Sequence, residues 1–175
     1  MKIAIDARLI GNSGIGTHIE NIVSMLIYKY TKHHYLLIGS EKQIGLYQGI
    51  PNVDLLITNI PQFSLKELWA FPVKEINRCD IYYCPYINIP GRIKVPIYST
   101  IHDVLFFDVK GLSSRWGTLL RWAFYKRAVC LSKALFTVSE FSATRIKKHF
   151  HTNKDIHVIL NGICLLYTSD AADEL

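Results

Sequence analysis

Apolar residues along this chain follow two alternating rhythms. Short continuous runs rich in isoleucine, leucine, valine and tyrosine fall at 2–5, 35–38, 53–57, 81–84, 95–101, 135–138 and 156–160. Runs that lack polar alternation predict strands buried on both faces, as in a parallel sheet. Between them Ile19, Ile22, Val23, Leu26 and Ile27 stand at helical spacing and predict a helix over 17–30. A second helix is expected over 64–77, ended or kinked at Pro72. A long one is expected over 113–132 and a last one over 139–150, and a Pro/Gly/Asn-rich loop occupies 85–96. About seven strands with intervening helices predict a doubly wound, mainly parallel α/β sheet.

Several of these strands end in short polar signatures. Asp6-Ala7-Arg8 leads to Gly14-Ile15-Gly16, and His102-Asp103, Val138-Ser139-Glu140 and Asn161-Gly162 follow later strands. Open α/β sheets bind ligands outside the carboxyl ends of their strands, so the pattern gathers these groups on one rim.

Composition narrows the class. A chain of 175 residues with 50% hydrophobic content suits one α/β domain with a real core. It has no run of eighteen apolar residues, so a transmembrane span is not expected. Residues 1–6 turn polar too soon for a signal peptide and read as a first strand. Cys79, Cys84, Cys130 and Cys164 form no CxxC pair, and are expected as buried reduced thiols of a cytoplasmic protein. The formal charge of +6 suits nucleic acid, an anionic membrane face or phosphorylated substrates without choosing among them.

The segment 164–175 breaks the pattern and reads as translated read-through of a transposase-type sequencing adapter, the alternative being a short acidic terminus. Setting it aside removes Asp170, Asp173 and Glu174 and raises the formal charge from +6 to +9.

Four constellations carry possible chemistry. In Gly11-Asn12-Ser13-Gly14-Ile15-Gly16-Thr17, glycines let backbone amides approach a phosphate or sugar hydroxyl, and the following helix start favours negative charge. The same residues also suit a flexible turn. A nicotinamide fingerprint fits poorly, because Ile19 occupies its third glycine position. At His102-Asp103, the imidazole can hydrogen-bond a substrate hydroxyl or stabilise developing charge, with the carboxylate orienting it or only holding the loop. Ser139 stands at a helix N-cap position, with ligand contact as an added possibility. The basic aromatic helix, with Trp116, Arg121, Trp122, Lys126 and Arg127, has an apolar face at Leu119, Leu120, Ala123 and Ala128. It either packs in the core with a solvated basic face or lies on an anionic bilayer. No paired carboxylates, nucleophile elbow, metal-ligand spacing or nucleic-acid module is evident.

Taken in order, Asp6-Ala7-Arg8, Gly14-Ile15-Gly16-Thr17, His102-Asp103-Val104, Thr137-Val138-Ser139-Glu140-Phe141-Ser142 and Val158-Ile159-Leu160-Asn161-Gly162-Ile163 resemble the amino-terminal half of family-4 retaining glycosyltransferases. The resemblance spans residues 1–163. It implies a Rossmann-like domain, half of a GT-B fold, that receives the acceptor while a carboxy-terminal domain, absent from these residues, grips the nucleotide-sugar through a pair of glutamates.

The resemblance also implies roles for single residues. Arg8, Gly14, Ile15, Gly16, Thr17 and Ser139 become substrate-binding residues, and His102 with Asp103 the catalytic pair. It further implies hexosyl or deoxyhexosyl transfer to a saccharide or lipid-linked acceptor, in surface polysaccharide or lipopolysaccharide assembly. No cofactor, metal or nucleic acid is expected. The setting implied is cytoplasmic, with peripheral contact at an anionic membrane face. The alternative is a non-catalytic nucleotide- or phosphate-binding module, which would need the glycines but not His102.

Overall fold

The computed structural model describes residues 1–109, 112 and 114–160, without the side chains of Ser13 and Arg115. Among the described residues seven strands form one sheet: β1 (Lys2–Asp6), β2 (His34–Gly39), β3 (Val53–Ile57), β4 (Ile81–Cys84), β5 (Ile97–Thr100), β6 (Ser132–Thr137) and β7 (Ile156–Val158). Their order is β3-β2-β1-β4-β5-β6-β7, and every neighbouring pair is parallel. Asp6 pairs with Ile38, Cys84 with Ser99 and Thr100 with Phe136, so the carboxyl ends form a common edge. Chain order reverses between β1 and β4, the switch point outside which such sheets hold ligands.

The helices are α1 (Ser13–Lys29), α2 (Glu41–Ile44), α3 (Val73–Ile76), α4 (Leu105–Asp108), α5 (Arg115–Leu131) and α6 (Glu140–Phe150). Ile19, Val23 and Ile27 recur at the i, i+4 spacing that lays one face of α1 on the main core. A second core cluster joins Ile101, Val104, Tyr125, Val129, Leu135, Ile146 and Phe150, beneath the loop that follows β5.

Several boundaries differ from the apolar pattern. Helix α1 starts at Ser13 rather than at 17, so Gly14, Ile15 and Gly16 form its first turn instead of a loop. The Gly16 amide closes that turn on the Asn12 carbonyl at 3.0 Å. Of this turn only Ile15 packs against the core, which is why apolar periodicity begins later. A Cβ on Gly16 would collide with the Leu9 carbonyl, whereas one on Gly14 would meet open space.

The helix expected over 64–77 is replaced by a 3₁₀ turn, Leu65–Leu68, and the single turn of α3, which Pro72 precedes as N-cap. Proline lacks the amide that would carry a helix through that position. Helix α4, not anticipated, fills the start of the β5–α5 connection. Ser139 caps α6 as expected, accepting the Ser142 amide at 3.1 Å.

Two expectations about burial are corrected. Cys79 and Cys84 are buried thiols, but Cys130 is exposed on α5. Helix α5 buries Tyr125, Ala128 and Val129, while Leu119 and Leu120 remain exposed. The apolar side read from the sequence is therefore split between core and solvent. No helix among the described residues is long and apolar enough to cross a membrane. Asn161-Gly162 and the segment 164–175, Cys164 included, lie outside the described residues.

Candidate functional site

At the switch point the chain leaves β1 through Asp6-Ala7-Arg8, and Arg8 turns inward. Its side chain is 1% exposed, although the sequence pattern placed it among the ligand-facing residues. Nε and Nη2 reach the two Asp6 oxygens at 2.9 and 2.6 Å, and Nη1 reaches Glu67 Oε1 at 2.6 Å. Nη2 also donates to the Tyr86 hydroxyl, and the guanidinium lies 4.4 Å over the Phe71 ring. Tyr82 and Tyr86 donate to Asp6 Oδ2 at 3.1 and 2.7 Å.

Charge pairing explains this arrangement, since a buried guanidinium is tolerated only with carboxylates and full hydrogen bonding. Burial alone would lower the pKa of Arg8, but Asp6 raises it on balance and keeps the cation. Burial pushes the Glu67 carboxyl up to about 7 against the opposing pull of Arg8. The cluster is the floor of the rim. Arg8 reaches other elements through its carbonyl, which accepts the side-chain amides of Gln43 and Gln62.

Above this floor, α1 and the end of β5 meet. The His102 ring stands edge-on to the His18 ring, with centroids 5.0 Å apart. His102 Nε2 lies 3.0 Å from the Pro85 carbonyl, which only accepts, so Nε2 carries the hydrogen. In a neutral ring Nδ1 is then the acceptor. Burial lowers the pKa of His102, and the neighbouring His18 lowers it further, outweighing Pro85 and Asp103. The imidazole is therefore neutral at pH 7.

Asp103 is exposed, and its Oδ1 accepts the Leu105 amide at 3.1 Å. Its hydrogen bond secures the turn into α4 rather than the orientation of the imidazole. Gly14, Thr17, His18 and Asn21 line one side of a cleft of about 500 Å³, with Ile159 and Leu160 opposite. The structure thus brings Gly14, Thr17 and His102 into one neighbourhood through His18, a residue the sequence pattern did not single out. Its only sequence signal is its place one residue beyond Thr17, on a helix face shared with Ile22 and Met25. The Ser139 hydroxyl donates to Ser142 Oγ at 3.0 Å and is engaged within α6. Among the described residues no group of three histidine, cysteine or acidic side chains is placed to hold a metal ion.

No curated protein matches this chain. The sequence profile described as Glycosyltransferase Family 4 matches residues 13–165, from the first turn of α1 to beyond β7. With a parallel Rossmann-like sheet of the kind found in GT-B enzymes, and a match over most of its length, the chain belongs to glycosyltransferase family 4.

Proposed function

We propose that this domain is the acceptor-side half of a retaining glycosyltransferase, moving a hexosyl or deoxyhexosyl group from a nucleotide-sugar to a saccharide or lipid-linked acceptor. The observation that carries this reading is the His18–His102 contact, which sets His102 beside the first turns of α1 at the switch-point edge. The first amides of a helix have no intrahelical partners and lie at the positive end of its dipole. In this reading the amides around Gly14 and Ile15 face the leaving diphosphate and stabilise its developing charge, with basic side chains and without a metal ion.

His102, neutral and fixed by Pro85, offers Nδ1 to a hydroxyl of the transferred sugar near the reacting carbon. The acceptor hydroxyl attacks from the face the nucleotide leaves, so the anomeric configuration is kept. Arg8 supports the floor beneath these groups, and Thr17 and Ser139 are assigned to the substrate edge. In this reading a second domain grips the donor across the cleft.

We assign the pathway to surface polysaccharide or lipopolysaccharide assembly at the cytoplasmic membrane face. Support comes from the exposed apolar side chains Leu105, Leu112, Trp116, Leu119 and Leu120, with Arg121 beside them. The test is nucleotide release by the full-length gene product carrying His102→Ala, expected to fall by at least about a hundredfold with the fold intact. Unchanged turnover would overturn the role of His102 and point to a different catalytic residue, whereas no turnover by the unsubstituted product would favour the non-catalytic phosphate-binding module.

A further inference from the structure

The end of β6 and helix α6 together grip the loop that carries His102 at both of its ends. At the near end Thr137 Oγ1 donates to the Ile101 carbonyl at 2.7 Å, and Ser142 Oγ donates to the His102 carbonyl at 3.1 Å. Ser142 is in turn held by Ser139, whose hydroxyl donates to Ser142 Oγ. At the far end Arg145 binds Asp108, the last residue of α4, through Nε at 3.0 Å and through Nη2. His149 Nε2 lies 2.7 Å from the same carboxylate. Ser142, Arg145 and His149 are spaced by three and four residues, which puts them on one face of α6. Between the two anchors the Phe107 ring packs on Tyr125, with centroids 5.2 Å apart, and on Phe150 at 5.6 Å.

We propose that Ser142, Arg145 and Asp108 are positioning residues that hold His102 in register with helix α1. The proposal rests on the transferase reading of His102. Neither Ser142 nor Arg145 lines the cleft, so both act through the loop.

Magnitude favours positioning over stability. The side chains of Asp108 and Arg145 are 17% and 25% exposed, and an ion pair this accessible adds little to folding. Two parallel N–H···O bonds to one carboxylate do, however, fix direction as well as distance. The second core cluster, with Ile146 and Phe150, already fastens α6 to the sheet. What the polar contacts add is the orientation of residues 102–108, a segment with few apolar anchors besides Val104 and Phe107.

The test follows the His102 ring by nitrogen-detected NMR titration of the 175-residue chain. The groups facing that ring are His18, the Pro85 carbonyl and Asp103. In Ser142→Ala and Arg145→Met the loosened loop admits water, and the His102 midpoint should rise by at least about half a unit. Arg145→Lys should restore part of the shift. Ile27→Val, a core change in α1 away from this loop, should lower Tm and leave the midpoint in place. An unchanged His102 midpoint in both brace variants overturns the proposal, whatever their Tm.

Turnover separates this proposal from the reading it rests on. In the full-length product both brace variants should lower kcat by about tenfold with KM for the donor within about twofold. If the midpoint shifts while His102→Ala retains full turnover, the brace stands and the transferase role of His102 falls. If His102→Ala abolishes turnover while the brace variants change neither midpoint nor kcat, the brace falls alone.

Discussion

His18 and His102, 84 residues apart, meet edge to face with 85° between their rings. The contact ties the second turn of α1 to the end of β5, across the switch point between β1 and β4. It also places two imidazoles where both cannot carry charge cheaply, which reinforces the effect of burial in keeping His102 neutral.

That neutrality has a consequence for pH. The folded pKa of His102 is lowered, so below the ordinary value of 6.5 the unfolded chain takes up a proton that the folded chain resists. Its contribution to stability is present above 6.5 and is lost as pH falls from that value through the lowered folded pKa. Urea melts from pH 7.5 to 5.5 should show His102→Phe gaining on the unsubstituted chain toward acid. Parallel curves would refute it.

Gly14 and Gly16 are expected to separate binding from folding. The Cβ of Gly16→Ala would meet backbone at Leu9, so α1 must shift, at a cost of about 1–3 kcal/mol. Gly14→Ala projects into open space and should leave stability within about 1 kcal/mol. If the first turn faces the donor phosphates, that same methyl group weakens nucleotide-sugar affinity in the full-length product. Thermal melts and calorimetric titration distinguish the two variants, and equal effects of both on Tm would contradict the geometry.

The floor cluster predicts a large loss on removing Arg8, the cation that pairs with both of its carboxylates. Arg8→Met leaves Asp6 and Glu67 buried without a counter-charge, and should cost about 3–5 kcal/mol in urea denaturation. Glu67 adds a pH signature of the opposite sign to that of His102. Its folded pKa is raised to about 7, so its stabilising contribution is present below 4.5 and is lost as pH rises to about 7. Relative to Glu67→Gln, the unsubstituted chain should lose on the order of 3 kcal/mol across that window. A difference that stays flat between pH 4.5 and 7.5 rules this out.

Helix α5 offers Trp116, 81% exposed, with Leu119 and Leu120 on the same exposed stretch. Flotation with anionic vesicles should carry the chain upward, and Trp116→Ser/Leu119→Ser should cut the bound fraction by about fivefold. Charge reversal at Lys126 is a poor probe, because its ammonium donates to the Phe150 carbonyl at 2.9 Å. Absence of flotation at low salt would remove the membrane assignment and leave the transferase reading intact.

Much of the fold was legible because apolar runs report burial directly. Strands β3 and β4 run over the same residues as their apolar runs, and Ser139 caps α6 where a serine before a helical pattern should. The rim followed as well, since parallel strands joined by helices put all their carboxyl ends on one edge. Helix α4 was not legible, because Leu105-Phe106-Phe107-Asp108 is too short to show a period.

By itself the sequence determined the parallel sheet, its helical connections and the edge on which polar strand ends gather, because these depend on local periodicity. Only the tertiary structure decided that Arg8 faces Glu67 and Tyr86, 59 and 78 residues away, rather than a ligand. It likewise decided that α1 begins at Ser13 and that His18 is the residue that meets His102. The reason is that a buried charge or an orienting ring takes whichever partner the packed chain brings near, and that partner's distance along the sequence carries no mark of the contact.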